Sequence, residues 1–165
     1  MENIVFLDID GVVNTLQIDN KPFNTQRGGI NRNGFYFLLC SESDEEVSNR
    51  QAVMWLNKLC LETKSKIVIS STWRFSGLEK CKKALYNSGL DKKIEIIDIT
   101  PYDYSRIRGK EIKNWLNIHK NVKNFVILDD DNDMGDLKNH LVLCNRNYGF
   151  NHPEYIAAID ILKKI

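Results

Sequence analysis

The sequence lacks the features that mark a specialised class. Among 165 residues, Lys plus Arg number 23 and Asp plus Glu 22, for a formal net charge of +1. Composition therefore supplies no global attraction to nucleic acid or to an anionic membrane, although a local patch is compatible with that sum. No apolar run approaches the roughly 20 residues of a membrane-spanning helix. The opening Met1-Glu2-Asn3-Ile4-Val5-Phe6-Leu7-Asp8 has no basic flank and its apolar stretch stops on an acid, which is not the pattern of a signal peptide. The four cysteines, Cys40, Cys60, Cys81 and Cys144, form no Cys-x-x-Cys pair. Free thiols in a reducing, cytoplasmic setting are expected, rather than disulfides or zinc. There is no internal repeat and no Pro/Gly/Ser-rich linker, so residues 1–165 read as a single domain.

What is present is an alternation of short apolar runs and helical stripes. Ile4–Leu7, Ile67–Ile69, Ile94–Ile97, Phe125–Leu128 and Leu141–Leu143 read as strands. Several are continuously apolar, which suits strands covered on both faces in a mostly parallel sheet. Ala52, Val53, Leu56, Leu59 and Cys60 share one helical face. So do Leu78, Cys81, Ala84 and Leu85, before the stop Asn87-Ser88-Gly89. Ile112, Trp115, Leu116 and His119 form a third stripe, and Tyr155–Leu162 a fourth. The expected fold is α/β, a Rossmann-like three-layer sandwich. One region, about 15–47, breaks the rhythm with Gly28-Gly29, Asn31-Arg32-Asn33-Gly34 and an acidic run from Glu42 to Glu46. It reads as a hairpin or flap, with the acidic run as a solvated face.

Ligands of open parallel sheets sit beyond the carboxyl ends of the strands. Three such ends carry polar clusters: Asp8-Ile9-Asp10-Gly11, Ser70-Ser71-Thr72 and Asp129-Asp130-Asp131-Asn132-Asp133. Each alone is unremarkable, a strand entering a turn or a helix cap. Together they gather carboxylates at one edge, where mutual repulsion calls for a hard divalent cation such as magnesium. A carboxylate beside that cation can attack phosphorus, and a second can shuttle the proton of the leaving oxygen. Gly11 permits the sharp turn that this requires. An EF-hand is excluded, because counting from Asp129 its sixth and twelfth positions hold Met134 and His140.

In order, Asp8-x-Asp10-Gly11, Ser70, a basic residue opening a helix and Asp129-Asp130 resemble the haloacid-dehalogenase-like (HAD) phosphatase superfamily. Ser70-Ser71-Thr72-Trp73-Arg74, then Thr100-Pro101 with Arg108-Gly109-Lys110-Glu111-Ile112 and Trp115-Leu116, then Tyr148-Gly149-Phe150, are similar to the HAD domain of Swiss-army-knife RNA-repair proteins. The resemblance implies Asp8 as nucleophile and Asp10 as general acid and base. It implies Ser70, with Ser71 and Arg74 nearby, at the phosphoryl group. Arg108 and Lys110 both remain candidates for the neutralising cation. Magnesium would be held by Asp8, the Asp10 carbonyl, Asp129 and Asp130, with Asp133 in support.

Little chain is left for a cap, so the site is expected to be open and to suit a bulky phosphorylated substrate such as a nucleic-acid end or a phosphoprotein, with no membrane partner. Arg27, Arg32, Arg74, Arg106, Arg108 and Arg146 lie near Phe35, Tyr36, Trp73, Tyr102, Tyr104 and Tyr148 in sequence. That is a combination used for single strands, although Trp73 reads as a packing residue. A small-molecule phosphatase and a non-catalytic magnesium- and phosphate-binding module are the competing readings. A receiver domain fits less well, because strand two ends in Ser rather than Asp.

Overall fold

The computed structural model describes residues 1–15 and 49–164, and between them only the backbone of four short strands. These are β2 (Gln17–Ile18) with β3 (Lys21–Pro22), and β4 (Gly28–Ile30) with β5 (Tyr36–Leu38), each an antiparallel pair. The rest of the expected flap, with the side chains of Arg27, Arg32, Phe35 and Tyr36, lies outside the described residues, as does Cys40.

Five strands form one all-parallel sheet: β1 (Glu2–Leu7), β6 (Ser65–Ile69), β7 (Ile96–Ile99), β8 (Val122–Asp129) and β9 (Leu141–Leu143), in the order β7-β6-β1-β8-β9. β1 is central, and Ile4 to Leu7 are wholly buried. Alternation sorts its residues between the two faces. Val5 and Leu7 join the larger core with α1 (Arg50–Thr63), α2 (Leu78–Asn87) and α4 (His152–Lys163). Ile4 and Phe6 face α3 (Arg108–Ile118), where Phe6 meets Trp115 edge to face at 5.4 Å. The result is the expected three-layer α/β fold.

Local chemistry ends the helices. The Asn49 side chain caps α1 by accepting from the Ala52 N–H at 3.0 Å, and Lys64 closes it in the left-handed region. Asn151 and Glu154 form a capping box at α4, with Pro in the first turn. Gly89 ends α2 at φ +102°. The third sheet strand differs from expectation. It spans Ile96–Ile99 rather than Ile94–Ile97. Ile94 is buried, but as the anchor of a turn: its N–H donates to Asp91 O at 2.9 Å and its carbonyl accepts from the Tyr86 hydroxyl. An apolar residue beside a strand can be core without being strand. Cys60, Cys81 and Cys144 are free and buried, and no helix among the described residues is long and apolar enough to cross a membrane.

Candidate active site

Register brings the polar strand ends together. Leu7 pairs with Ile69 on one side and with Leu128 on the other, so Asp8, Ser70 and Asp129 leave the sheet side by side. The Asp8 N–H donates to Leu128 O and the Ser70 N–H to Leu7 O, both at 2.9 Å. Beyond β1, Gly11 turns the chain at φ +81°, and its N–H donates to Asn14 O at 2.7 Å. A Cβ on Gly11 would overlap the Asp130 carboxyl. The glycine is thus required twice, by the turn and by the approach of an acid from another strand.

Carboxylate oxygens of Asp8, Asp129 and Asp130 lie within 4.8 Å of one another. Burial, and then Asp129, hold the Asp8 carboxyl well above the ordinary range, while Arg108 and Ser71 pull it back. Burial raises Asp129 to about 6 against the pull of Arg108. Asp129 Oδ2 is buried with no hydrogen-bond partner, and the Arg108 Nε stands 3.4 Å away. Hard oxygen donors, an unsatisfied buried oxygen and crowded like charge fit a divalent cation. Asp130 is paired with Arg146.

Asp10 is held differently. Its Oδ1 accepts from Asn14 Nδ2 at 2.7 Å and its Oδ2 from the Trp73 indole N–H at 3.0 Å. Burial raises its pKa, and these two neutral donors oppose the rise. Its side chain is outside the acidic trio. Trp73, read from the sequence as packing, does pack against the larger core and in addition holds Asp10, and its place in the Ser-Ser-x-Trp-Arg run was the available signal for the second role. Asn14, the other missed partner, follows the Gly11 turn.

The Ser70–Ser76 segment separates roles that the sequence left merged. Ser71 helps draw the Asp8 pKa back down, and its hydroxyl accepts from the Trp73 N–H at 3.3 Å. Ser70, expected to face the phosphoryl group, is wholly buried, as is Ser71, and its hydroxyl has no hydrogen-bond partner among the described residues. Arg74, also expected at the phosphate, turns inward. It donates to the carbonyls of Ser70 (3.0 Å) and Ser71 (2.8 Å) and to Glu111 Oε1 (2.6 Å), with both side chains 4% exposed. Its two terminal nitrogens hold the loop and Glu111, while its Nε is buried without a partner among the described residues and the side chain also lines the neighbouring pocket.

At the start of α3 the two candidate cations part. Arg108 Nη2 is 3.8 Å from Asp8 Oδ1, and its Nη1 is 3.4 Å from Glu111 Oε2. Lys110 is exposed, and the acid it influences is Asp103. The reason is helical angle: positions two apart do not share a face. Asp133 holds the helix start, its Oδ2 accepting from the Arg108 N–H at 2.9 Å. Gly109 lets the Met134 backbone approach where a Cβ would collide. Glu111, quoted in the motif but given no role there, ties Arg74 to Arg108. Next to Arg108 opens a pocket of about 520 Å³ whose lining includes Phe75, Tyr102 and Arg106.

A parallel five-stranded sheet with an acid after the central strand, a serine after its neighbour and an acidic pair after the other is the architecture of a HAD-type hydrolase domain. The pattern described as the HAD domain in Swiss Army Knife RNA repair proteins matches residues 4–155, and the chain belongs to that family. The family supports a phosphatase-type hydrolase. No curated protein and no solved structure matches the chain.

Proposed function

We propose that the chain is a magnesium-dependent phosphomonoesterase that works through an aspartyl-phosphate on Asp8, with phosphorylated nucleic-acid ends as its substrates. The observation that carries this reading is the division of labour among the acids. Asp8 stands in a trio with Asp129 and Asp130 beside Arg108 and Ser71, whereas Asp10 is kept apart on two neutral donors.

Asp8, Asp129 and Asp130 would hold the magnesium, which when bound supplies charge compensation for carboxylate and phosphate together. An Asp8 oxygen attacks phosphorus, and the bond from phosphorus to the leaving oxygen breaks as Asp10 gives that oxygen its proton. Asp10, now ionised, takes a proton from a water that attacks phosphorus. Phosphate leaves and Asp8 is regenerated. Arg108, anchored by Glu111 and Asp133, and Ser71 hold the phosphoryl oxygens in place. The raised pKa of Asp10 suits a group that must carry a proton before the first step and accept one in the second.

The test is hydrolysis of a generic aryl phosphate by the parent and by Asp8→Asn, with and without magnesium. The expected result is magnesium-dependent turnover in the parent and none in the variant at unchanged circular dichroism. Comparable rates would end the covalent reading. Faster turnover of free nucleotides than of 3′- or 5′-phosphorylated oligonucleotides would move the substrate to the small-molecule class.

A further inference from the structure

The pocket beside Arg108 has a feature that phosphate chemistry does not use. Phe75 and Tyr102 line it, are 65% and 45% exposed, and meet edge to face with centroids 5.8 Å apart. Tyr104, 94% exposed, continues the row at 5.5 Å from Tyr102. Phe75 comes from the turn after β6, and the two tyrosines from the loop after β7. β6, one of the strands that build the catalytic edge, and its sheet neighbour β7 thus build this row. None of the three belongs to either hydrophobic core. Phe75 rests against the Arg74 guanidinium, 4.8 Å from its ring centre, and three adjoining exposed rings beside a cleft mark a binding surface.

Charge narrows the occupant. Of the three acids in the lining, Glu111 is engaged by Arg74 and Arg108, Asp133 by the Arg108 N–H, and exposed Asp131 accepts from the Asn132 N–H. Arg106, which also lines the pocket, has no ion pair among the described residues. Its turn is held by its own N–H donating to Asp103 O at 2.9 Å and by Ser105 on the Asp103 carboxylate. Arg108 both lines the pocket and faces Asp8. A phosphoryl group at Asp8 and a group in the pocket therefore share one guanidinium, as the phosphate and base of one nucleotide would. A flat ring that stacks on aromatic faces, joined to a chain of phosphates for Arg106, describes a single strand.

Resting on the phosphatase reading above, we propose that this pocket is a nucleobase subsite. The base of the phosphorylated terminal nucleotide stacks on Tyr102 and meets Phe75 edge to face, and Arg106 pairs with the next phosphodiester along the strand. Both aromatics are exposed, so their removal leaves the cores intact.

The experiment measures kcat/KM of the parent, Tyr102→Ala, Phe75→Ala/Tyr102→Ala and Arg106→Ala. The substrates are 3′- and 5′-phosphorylated oligonucleotides, the same oligonucleotides with an abasic terminal residue, a nucleoside monophosphate and ribose 5-phosphate. Removing the terminal base should cost the parent about ten- to hundred-fold. Tyr102→Ala should cost the same on intact ends and be indifferent to base removal, with ribose 5-phosphate unchanged. Arg106→Ala should slow oligonucleotides and spare the mononucleotide. Equal rates of the parent on intact and abasic ends would overturn the subsite. So would an equal loss on ribose 5-phosphate, or a Tyr102-dependent preference for phosphopeptides. Binding of a labelled oligonucleotide to Asp8→Asn, weakened by Tyr102→Ala, reads the subsite without turnover. Failure of the phosphatase reading would appear as no turnover of any phosphate. Failure of the subsite would appear as turnover and binding that both ignore the base.

Discussion

Glu111→Gln removes one charge from the most enclosed ion pair described in the protein. Arg74 Nη2 and Glu111 Oε1 are 2.6 Å apart, with both side chains 4% exposed. The carboxylate also faces Arg108 at 3.4 Å and accepts from the Asp103 N–H at 3.3 Å. Burial keeps the Arg74 guanidinium below its usual pKa even with Glu111 beside it, so desolvation is not fully compensated by pairing. Breaking such a pair from one side costs about 3–5 kcal/mol, because the remaining charge stays buried. Gln keeps an acceptor, and Arg74 keeps the Ser70 and Ser71 carbonyls, which places the expected loss at about 3 kcal/mol. With a urea slope of about 2 kcal/mol/M, the unfolding midpoint should fall by about 1.5 M at unchanged slope. Replacing both partners, Arg74→Met with Glu111→Leu, should recover much of this loss, since a buried pair often exchanges with apolar groups at little cost. Urea unfolding of the parent, Arg74→Met, Glu111→Leu and the double variant gives the coupling energy directly. A midpoint shift under about 0.4 M, or strictly additive single and double variants, would refute the claim that this pair carries the loop bearing Ser71.

Trp73→Phe removes a donor that stabilises ionised Asp10, so the pKa of Asp10 rises. The proton-donating form then persists to higher pH, and the alkaline limb of the kcat profile should move upward while circular dichroism is unchanged. Gly11→Ala combines a left-handed φ with overlap on Asp130, and should cost about 1–3 kcal/mol and weaken magnesium binding measured by calorimetry. The pKa of Asp129 is raised from 3.8 to about 6 in the folded chain. The native state therefore binds the proton more tightly than the unfolded one, and the stability contributed by this group is lost as pH rises from about 4 to about 6. Without metal, the Tm difference between the parent and Asp129→Asn should move against the parent across that window. Added magnesium should raise the parent Tm more at pH 7 than at pH 5, because its ligands must be ionised.

Much of the fold was legible from local pattern. The apolar runs at Ile4–Leu7 and Phe125–Leu128 were buried strands because both sheet faces are covered, and Gly89 ended a helix because only its backbone freely takes that φ. The misplaced strand at Ile94 has an equally local cause: apolarity reports burial, and burial does not report hydrogen bonding. The candidate site was legible as a set of residue types at strand ends, since parallel strands must deliver their carboxyl ends to one edge.

Side-chain direction was not legible. Ser70 and Ser71 are adjacent, chemically alike and equally buried, yet one hydroxyl is without a partner among the described residues and the other accepts from Trp73 and acts on Asp8, which depends on how the chain leaves β6. Arg74 and Arg108 are the same residue, yet Glu111, from a helix far along the chain, draws the first inward and braces the second toward Asp8. The acids that would share a metal, and the single acid kept apart on Trp73 and Asn14, are likewise settled by distances between strands. Sequence by itself determined the layered α/β architecture, the edge where chemistry gathers and the residue types gathered there, because periodicity and strand polarity are local properties. Only the tertiary structure decided which hydroxyl, which cation and which carboxylate face one another, because those choices rest on contacts between segments remote in the chain.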